Sequence, residues 1–365
     1  MSLLFINDPY KNNYDVLGEK IHILVTHDEC LFYANDDRPV VWAPLGKPPL
    51  RKKGQGRSIM VSEFLTESKG RLRLTDDLVH LHLQIQNRDA REYLKPGKNQ
   101  DGWWTAKHLI KQVTKKAIPM FEAVFPGCVA VFAFDNSTNH GAMSENALCA
   151  DRMNVGPGGK QPIMHPTRFG PNNTYQSMVF GPDHPQNANK PKGMRQILQE
   201  RGLWRQNLLA VCALCKAKDK TVKCDLTRID CCARRILSLQ PDFLGEKSEL
   251  EQTIVAAGHK CIFYPKYHCE LNFIEMYWGA CKRYTRERCD YTFQSLERVV
   301  PEALDSVPLV QIRRYAQLSW RYMNLYRAGL TGKLAEFGAK HYKSHRRVPD
   351  NVMEEVMKAM ADAEQ

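Results

Sequence analysis

Two apolar runs in this 365-residue chain each end in an acid: Ile23-Leu24-Val25-Thr26-His27-Asp28 and Ala130-Val131-Phe132-Ala133-Phe134-Asp135. Runs this apolar bury a strand, and a carboxylate at the end of one ionises in a partly dry site unless something offsets its charge. The plain structural role for such a residue is to turn the chain or cap a helix. A third acid, Glu275, stands in the aromatic and aliphatic stretch "LNFIEMYWG", where Asn272 and Glu275 have the spacing of a helix-start capping pair. Three carboxylates meeting at one place repel one another, and divalent metal ions neutralise them. Two such ions about 3.5–4 Å apart activate a water or 3′-hydroxyl and stabilise the leaving oxygen of an in-line phosphodiester displacement. Hard oxygen donors suit Mg²⁺ or Mn²⁺.

Positioning these acids requires a particular order of elements. Residues 21–34 read as a central strand, and 38–44 and 57–66 as the next two, an antiparallel meander whose first linker is basic and rich in Pro and Gly. Leu109, Val113, Ala117, Met120 and Val124 repeat at helical spacing, with Pro119 expected to kink the helix. The buried strand 128–136 follows, and a helix leading into a buried strand is the crossover that makes a parallel pair. Asp28 and Asp135 are therefore expected at neighbouring strand ends. Beyond a loop-rich stretch at 151–192, the pattern predicts a short basic helix at 193–204, a helix near 243–257, a strand at 260–265 and a helix starting near Asn272 that carries Glu275 to the same edge. From 294 onward the pattern is helical; Ile312, Tyr315, Ala316, Ser319, Tyr322, Met323 and Tyr326 share one face, with Pro308 in the first turn and Gly329 past the end.

The charge balance fits a polyanionic partner. Lys and Arg number 52 against 40 Asp and Glu, a net charge of +12. Twelve basic and four acidic residues fall in 190–235, and nine basic residues face one acid, Glu336, in 313–347, so each block carries +8. Clustered cations of this kind reward contact with phosphates, although solvated helix faces also carry them. Candidate DNA contacts are Arg51, Lys52 and Lys53 in the first linker, Lys216, Lys218, Lys220 and Lys223 in the first block, and Lys282 and Arg283 on the Glu275 helix. No run approaches the ~18–20 apolar residues of a membrane span, the first residues make a poor signal peptide, and an intracellular soluble protein is expected.

Twelve cysteines in such a chain argue against a disulfide scaffold. Cys30, Cys128, Cys149, Cys269, Cys281 and Cys289 stand singly and read as small core hydrophobes. Cys212-x₂-Cys215, Cys224 and the adjacent Cys231 and Cys232, with His259 and Cys261 further on, could form a tetrahedral zinc site. The first pair is a good half-site; the second half lacks a matching knuckle, so thiols that simply pack inside the segment remain the alternative.

"THDEC" at 26–30, "FDNSTNH" at 134–140 and "HCELNFIEMYWGACKR" at 268–283 resemble the three catalytic blocks of mariner-type DDE-superfamily transposases, and most closely the large DDE endonuclease-like members abundant in fungal genomes. "GRSIMVSEFLT", "FGPNN", "QERGLW" and "RRILSLQPDF" extend the resemblance over about 21–330. It implies an α/β, RNase H-like mixed sheet flanked by helices, and metal-dependent DNA nicking and strand transfer with Asp28, Asp135 and Glu275 as the Mg²⁺- or Mn²⁺-binding triad. Asn136 and His140 become neighbours of the site. The implied organisation is an N-terminal tail at 1–20, a core at 21–150, a basic Cys-containing insertion at 151–258, a final strand and catalytic helix at 259–290, and a helical C-terminal region at 291–365.

Two departures from the family pattern qualify this. The 139 residues between Asp135 and Glu275 are far more than compact members have, and only about 20 precede the first strand, too few for a helix-turn-helix module that reads transposon ends. The expected partner is DNA, with a separate end-recognition module, homodimer assembly and, in a eukaryote, nuclear location as further expectations. The alternatives are a truncated or domesticated DNA-binding derivative without turnover and another RNase H-like nuclease.

Overall fold

The computed structural model describes residues 20–37, 53–216, 227–341 and 352–363. Two compact units divide the chain: Met1–His140 with Leu250–Gln365, and Gly141–Glu249. The candidate strand 38–44 and the cations Arg51 and Lys52 lie outside the described residues, as do Lys218, Lys220, Lys223 and Cys224.

The first unit opens with β1 (His22–Tyr33), β2 (Ser58–Thr66), β3 (Gly70–Arg71), α1 (Asp76–Leu81) and β4 (Glu92–Leu94). Then come α2 (Ala106–Gln112), a π-helical turn at Val113–Ala117, α3 (Ile118–Val124) and β5 (Val129–Phe134). The single kinked helix expected over 109–124 is therefore two helices around a widened turn. Pro119 sits at the start of α3, where it has no N–H to give the ladder, and the π turn directly before it takes up the irregularity.

The sheet order is β3-β2-β1-β5-β8, with β4 also paired to β2 and β8 spanning Lys260–Phe263. β1 runs antiparallel to β2 and parallel to β5, and β5 runs parallel to β8. An antiparallel meander joined to parallel strands through its first strand is the RNase H-like arrangement. Side chains alternate across β1 and sort into two cores. Val25 joins Phe64, Leu109, Phe121, Phe132 and Phe134 on the face covered by α2 and α3. Cys30 and Phe32 join Val61, Leu65, Phe273, Ile274, Tyr277 and Trp278 on the opposite face.

That second face is covered by α9 (Ile274–Arg288), α10 (Phe293–Asp305) and α11 (Leu309–Arg327). Pro308 is the N-cap of α11 rather than a first-turn residue, and Ile312, Ala316 and Ser319 are its buried stripe. The helices α12 (Gly332–His341) and α13 (Val352–Ala363) add a small core around Leu325, Leu330, Ala335 and Val356. No described helix is long and apolar enough to cross a membrane.

The second unit contains the hairpin β6 (Thr167–Phe169) and β7 (Thr174–Gln176) and the helices α4 (Met194–Glu200), α5 (Ala213–Lys216), α6 (Ala233–Ser238) and α7 (Pro241–Leu244). The helix expected near 243–257 is thus α7 followed by a separate α8 (Glu249–Ala256). Met153, Met164, Met194, Ile197, Leu198, Ile236, Leu237 and Phe243 form its own core. Its two ends meet: Glu249 N–H donates to Ala142 O at 3.0 Å.

Candidate active site

The β1–β5 register pairs Thr26 with Ala133, so Asp28 and Asp135, each two residues further on, stand at the same level. Alternation along β1 puts Asp28, like Cys30, on the face that α9 covers, while Asp135 follows directly after the end of β5. Glu275 lies in the first turn of α9. The three acids thus reach one edge of the sheet from three stretches of chain.

The α9 start is held from a distance. Tyr326 Oη–H donates to Glu270 Oε1 at 2.6 Å and Ser319 Oγ–H to Glu270 O at 2.8 Å, tying the preceding turn to α11. Asn272 is buried; its Nδ2 donates to His27 O at 3.3 Å, and its Oδ1 accepts a short hydrogen bond from Thr26 Oγ1. The capping pair expected between Asn272 and Glu275 does not form: the N-cap is Phe273, with no side-chain cap. The Asn272 side chain is spent on β1, which leaves the exposed Glu275 carboxylate uncommitted to the helix end.

The half-buried Asp28 carboxylate accepts a hydrogen bond from Trp278 Nε1 at 3.0 Å. Burial, then the negative charges of Glu275 and Glu29, push the Asp28 carboxyl well above the usual aspartate range, with Asp135 adding to the push. Glu275, although accessible to solvent, is also raised, by partial desolvation beside the sheet; Lys282 opposes the rise and Asp135 adds to it.

Asp135 behaves differently. Its Oδ1 accepts from His140 Nδ1 at 2.5 Å and from Ser137 N–H at 3.2 Å, and the His140 hydrogen bond draws its carboxyl below the usual range. The other ring nitrogen, His140 Nε2, lies 3.3 Å from Glu29 Oε1, which also accepts from Trp104 Nε1 at 2.7 Å. Burial works against a charged His140, but the hydrogen bonds to Asp135 and Glu29 win and lift it to about 10. Asp135 thus already has a cationic partner.

His27, on the same side of β1 as Glu29, completes this network without touching the triad. Ser62 Oγ–H donates to Gln112 Oε1 at 2.7 Å and so accepts from His27 Nε2–H, also at 2.7 Å. The ring is neutral, burial holding it down at about 4, and its Nδ1 is without a partner. The ligand atoms of His27, Glu29 and His140 lie within 4.8 Å of one another. Among the described residues, Asp28, Asp135 and Glu275 do not form such a group. They act on one another through charge, while the Asp135 carboxylate is turned to His140.

The donor set nevertheless suits a divalent cation. It consists of hard carboxylate oxygens, two of them held above their ordinary range partly by mutual repulsion, which a bound dication would relieve.

Of the other sequence candidates, Asn136 is exposed and its Nδ2 makes a short hydrogen bond to Tyr264 O, so it ties β5 to the end of β8. Lys282 is half-buried on the Glu275 side of α9; Arg283, Lys53 and Lys216 are exposed. Cys212, Cys215, Cys231 and Cys232 cluster, whereas Cys261 lies in β8 and His259 just before it, where His259 Nδ1 accepts from Ala130 N–H at 3.3 Å. Of the six single cysteines, Cys30 and Cys281 are buried, Cys128, Cys149 and Cys289 are half-buried, and Cys269 is exposed. Sequence reasoning missed His27, Glu29, Trp104 and Trp278 as parts of the site. The one local signal was "THDEC" itself, where alternation puts His27 and Glu29 opposite Asp28.

No protein-family model matches the chain, and no curated protein matches it. Among solved structures it is similar to the Mos1 transposase paired-end complex with left transposon end, at a TM-score of 0.40 and 11% identity over 84% of this chain and 55% of that one. The Mos1 mariner paired-end complex with Mn gives 0.42 and 11% over 85% and 56%. The Mos1 strand transfer complex gives 0.37 and 12%, again over 85% and 56%, so the chain spans a little over half the length of these solved chains.

Proposed function

We propose that this chain is a DDE transposase-type endonuclease core that cleaves DNA and joins the ends, with Asp28, Asp135 and Glu275 as the residues that hold Mg²⁺ or Mn²⁺. The observation that carries this reading is that parallel β1 and β5 bring Asp28 and Asp135 to neighbouring strand ends, with Glu275 in the first turn of the helix packed beside them and all three coupled through charge. A dication held by these carboxylates would neutralise their charge and lower the pKa of a coordinated water or DNA 3′-hydroxyl, so that its deprotonated oxygen could attack phosphorus. The chain's own groups do the rest. Trp278 orients Asp28 through its hydrogen bond, and His140 holds Asp135 ionised. Lys282 and Arg283, next along the Glu275 helix, offer charge to the DNA backbone beside the acids, with Lys53 and Lys216 as further exposed contacts. The stretch 151–258 is then an insertion within the catalytic core.

The deciding experiment is nicking of supercoiled plasmid with Mn²⁺ or Mg²⁺, comparing the parent protein with Asp28→Ala, Asp135→Ala and Glu275→Ala. Cleavage is expected in the parent and lost in each variant with the fold intact. Cleavage undiminished without Glu275 would remove the assignment.

A second reading, DNA binding without turnover, draws on the His140–Asp135 ion pair, which gives one triad member a protein counter-ion. It predicts salt-sensitive DNA binding and no nicking with either metal. Duplex, branched and RNA–DNA hybrid substrates tested side by side separate both readings from another RNase H-like nuclease.

A further inference from the structure

The cysteines of the Gly141–Glu249 unit have no part in the chemistry above, yet four of them converge. We propose that Cys212, Cys215, Cys231 and Cys232 hold one structural Zn²⁺ ion through four thiolates. Their sulfurs all lie within 4.8 Å of one another. Cys231 Sγ is 3.8 Å from Cys212 Sγ, 3.6 Å from Cys215 Sγ and 3.9 Å from Cys232 Sγ. A disulfide would bring one pair to about 2.05 Å and leave the others free to separate. Four sulfurs each about 2.3 Å from a central zinc define a tetrahedron with edges of about 3.8 Å. The three separations lie close to that edge.

The backbone explains how each half is built. Cys212 and Cys215 bracket the turn that opens α5: Lys216 N–H donates to Cys212 O at 3.0 Å, and Cys215 N–H donates to Cys212 Sγ at 3.3 Å. An amide aimed at sulfur favours the thiolate over the thiol and orients it, as outer hydrogen bonds do for metal ligands. Cys232 is the N-cap of α6, in extended backbone at φ −163° and 0% exposed. The chain bends at Cys231 and Cys232, and the bend brings their sulfurs to 3.9 Å. The halves are joined by Ala233 N–H to Leu209 O at 2.9 Å and Arg234 N–H to Ala210 O at 3.1 Å. Because α6 contributes Ala233, Ile236 and Leu237 to the unit's core, the second half is anchored and the first is mounted on it.

Binding releases four thiol protons and leaves a site of net charge −2, next to Lys216, Arg228, Arg234 and Arg235 in the sequence. Zinc then closes a 15-residue segment, 216–230, whose cations include Lys218, Lys220 and Lys223.

The test uses the full chain purified under reducing conditions without added metal. Elemental analysis is expected to find one zinc per chain, and X-ray absorption at the zinc edge four sulfur neighbours at about 2.3 Å. A mixed sulfur–nitrogen shell, or no zinc, overturns the proposal, and this measurement needs no substitution that could unfold the protein. Cys212→Ser and Cys215→Ser are expected to lose the metal, and Cys128→Ser to retain it. Cys224 is the rival fourth ligand: zinc that survives Cys232→Ser but leaves with Cys224→Ser overturns the set named here. Chelation of the parent protein is expected to expose 205–240 to limited proteolysis, and zinc to restore protection; resistance unchanged by chelation would deny the ion its structural role.

Discussion

Trp278 and Asp28 are 250 residues apart in the chain and meet in a 3.0 Å hydrogen bond from the indole nitrogen to Oδ2. The indole also packs edge-on against Phe32, with ring centroids 6.2 Å apart, so one side chain serves both the helix–sheet core and the acid. Trp278→Phe keeps most of the packing and removes the donor. Loss of a hydrogen bond to a charged group is worth about 1.5–3 kcal/mol. Plasmid nicking is expected to fall by roughly tenfold or more while the folded state persists in urea titration. A rate unchanged by Trp278→Phe would mean that the indole does not orient the acid.

Replacing Asp28 itself is expected to separate activity from stability. Burial and neighbouring negative charges oppose its ionised form, so Asp28→Asn removes a strained charge from the metal-free protein while preserving shape. The variant is expected to be more stable than the parent by roughly 0.5–2 kcal/mol at neutral pH without metal, and inactive. Mn²⁺ is expected to raise the melting temperature of the parent and not that of the variant. Equal metal-induced shifts in both would place the bound ion elsewhere.

The His140 bridge predicts a pH dependence. Its imidazole is lifted to about 10. A raised histidine contributes its full stabilisation below the ordinary value of about 6.5 and loses it as pH climbs through the folded value. Asp135 and Glu29, both held low, contribute above the carboxylate range and lose that contribution in acid. The difference in unfolding free energy between parent and His140→Asn is therefore expected to shrink steadily from about pH 6.5 to 10. A difference that stayed flat over that window would contradict a charged His140.

On β2, directly across from Asp28, Glu63 is 0% exposed and its Oε2 accepts from Arg91 Nε at 2.6 Å, with the Arg91 side chain 5% exposed. Burial pushes Glu63 up against the pull of Arg91, and Arg91 is held charged by Glu63 and Asp89. Arg91→Ala strands a buried carboxylate and is expected to destabilise the fold by about 3–5 kcal/mol in urea unfolding. The double variant Glu63→Leu with Arg91→Met is expected to recover most of that loss. No recovery would show that the pair does more than cancel its own charge.

Much of this architecture was legible because it is local. Dense apolar runs marked β1, β2 and β5, and the helix before β5 implied the parallel pairing that sets Asp28 level with Asp135. Asn272 and Glu275 have the spacing of a capping pair, but the Asn272 side chain instead bonds Thr26, 246 residues away, and local spacing carries no trace of such a partner. The same holds for Glu29, whose partners Trp104 and His140 come from a loop and from beyond β5. The π turn before Pro119 was hidden for another reason: periodicity over five residues cannot distinguish a widened turn from a kink.

The hydrogen bond between Glu249 and Ala142 closes the second unit onto itself. The free energy of joining the ends of a loop rises only logarithmically with its length, by about 0.6 kcal/mol per doubling. A segment whose ends already meet imposes almost no spacing requirement on the strands that flank it. The length of chain between Ala142 and Glu249 therefore places little demand of its own on the parallel pairing of β5 with β8.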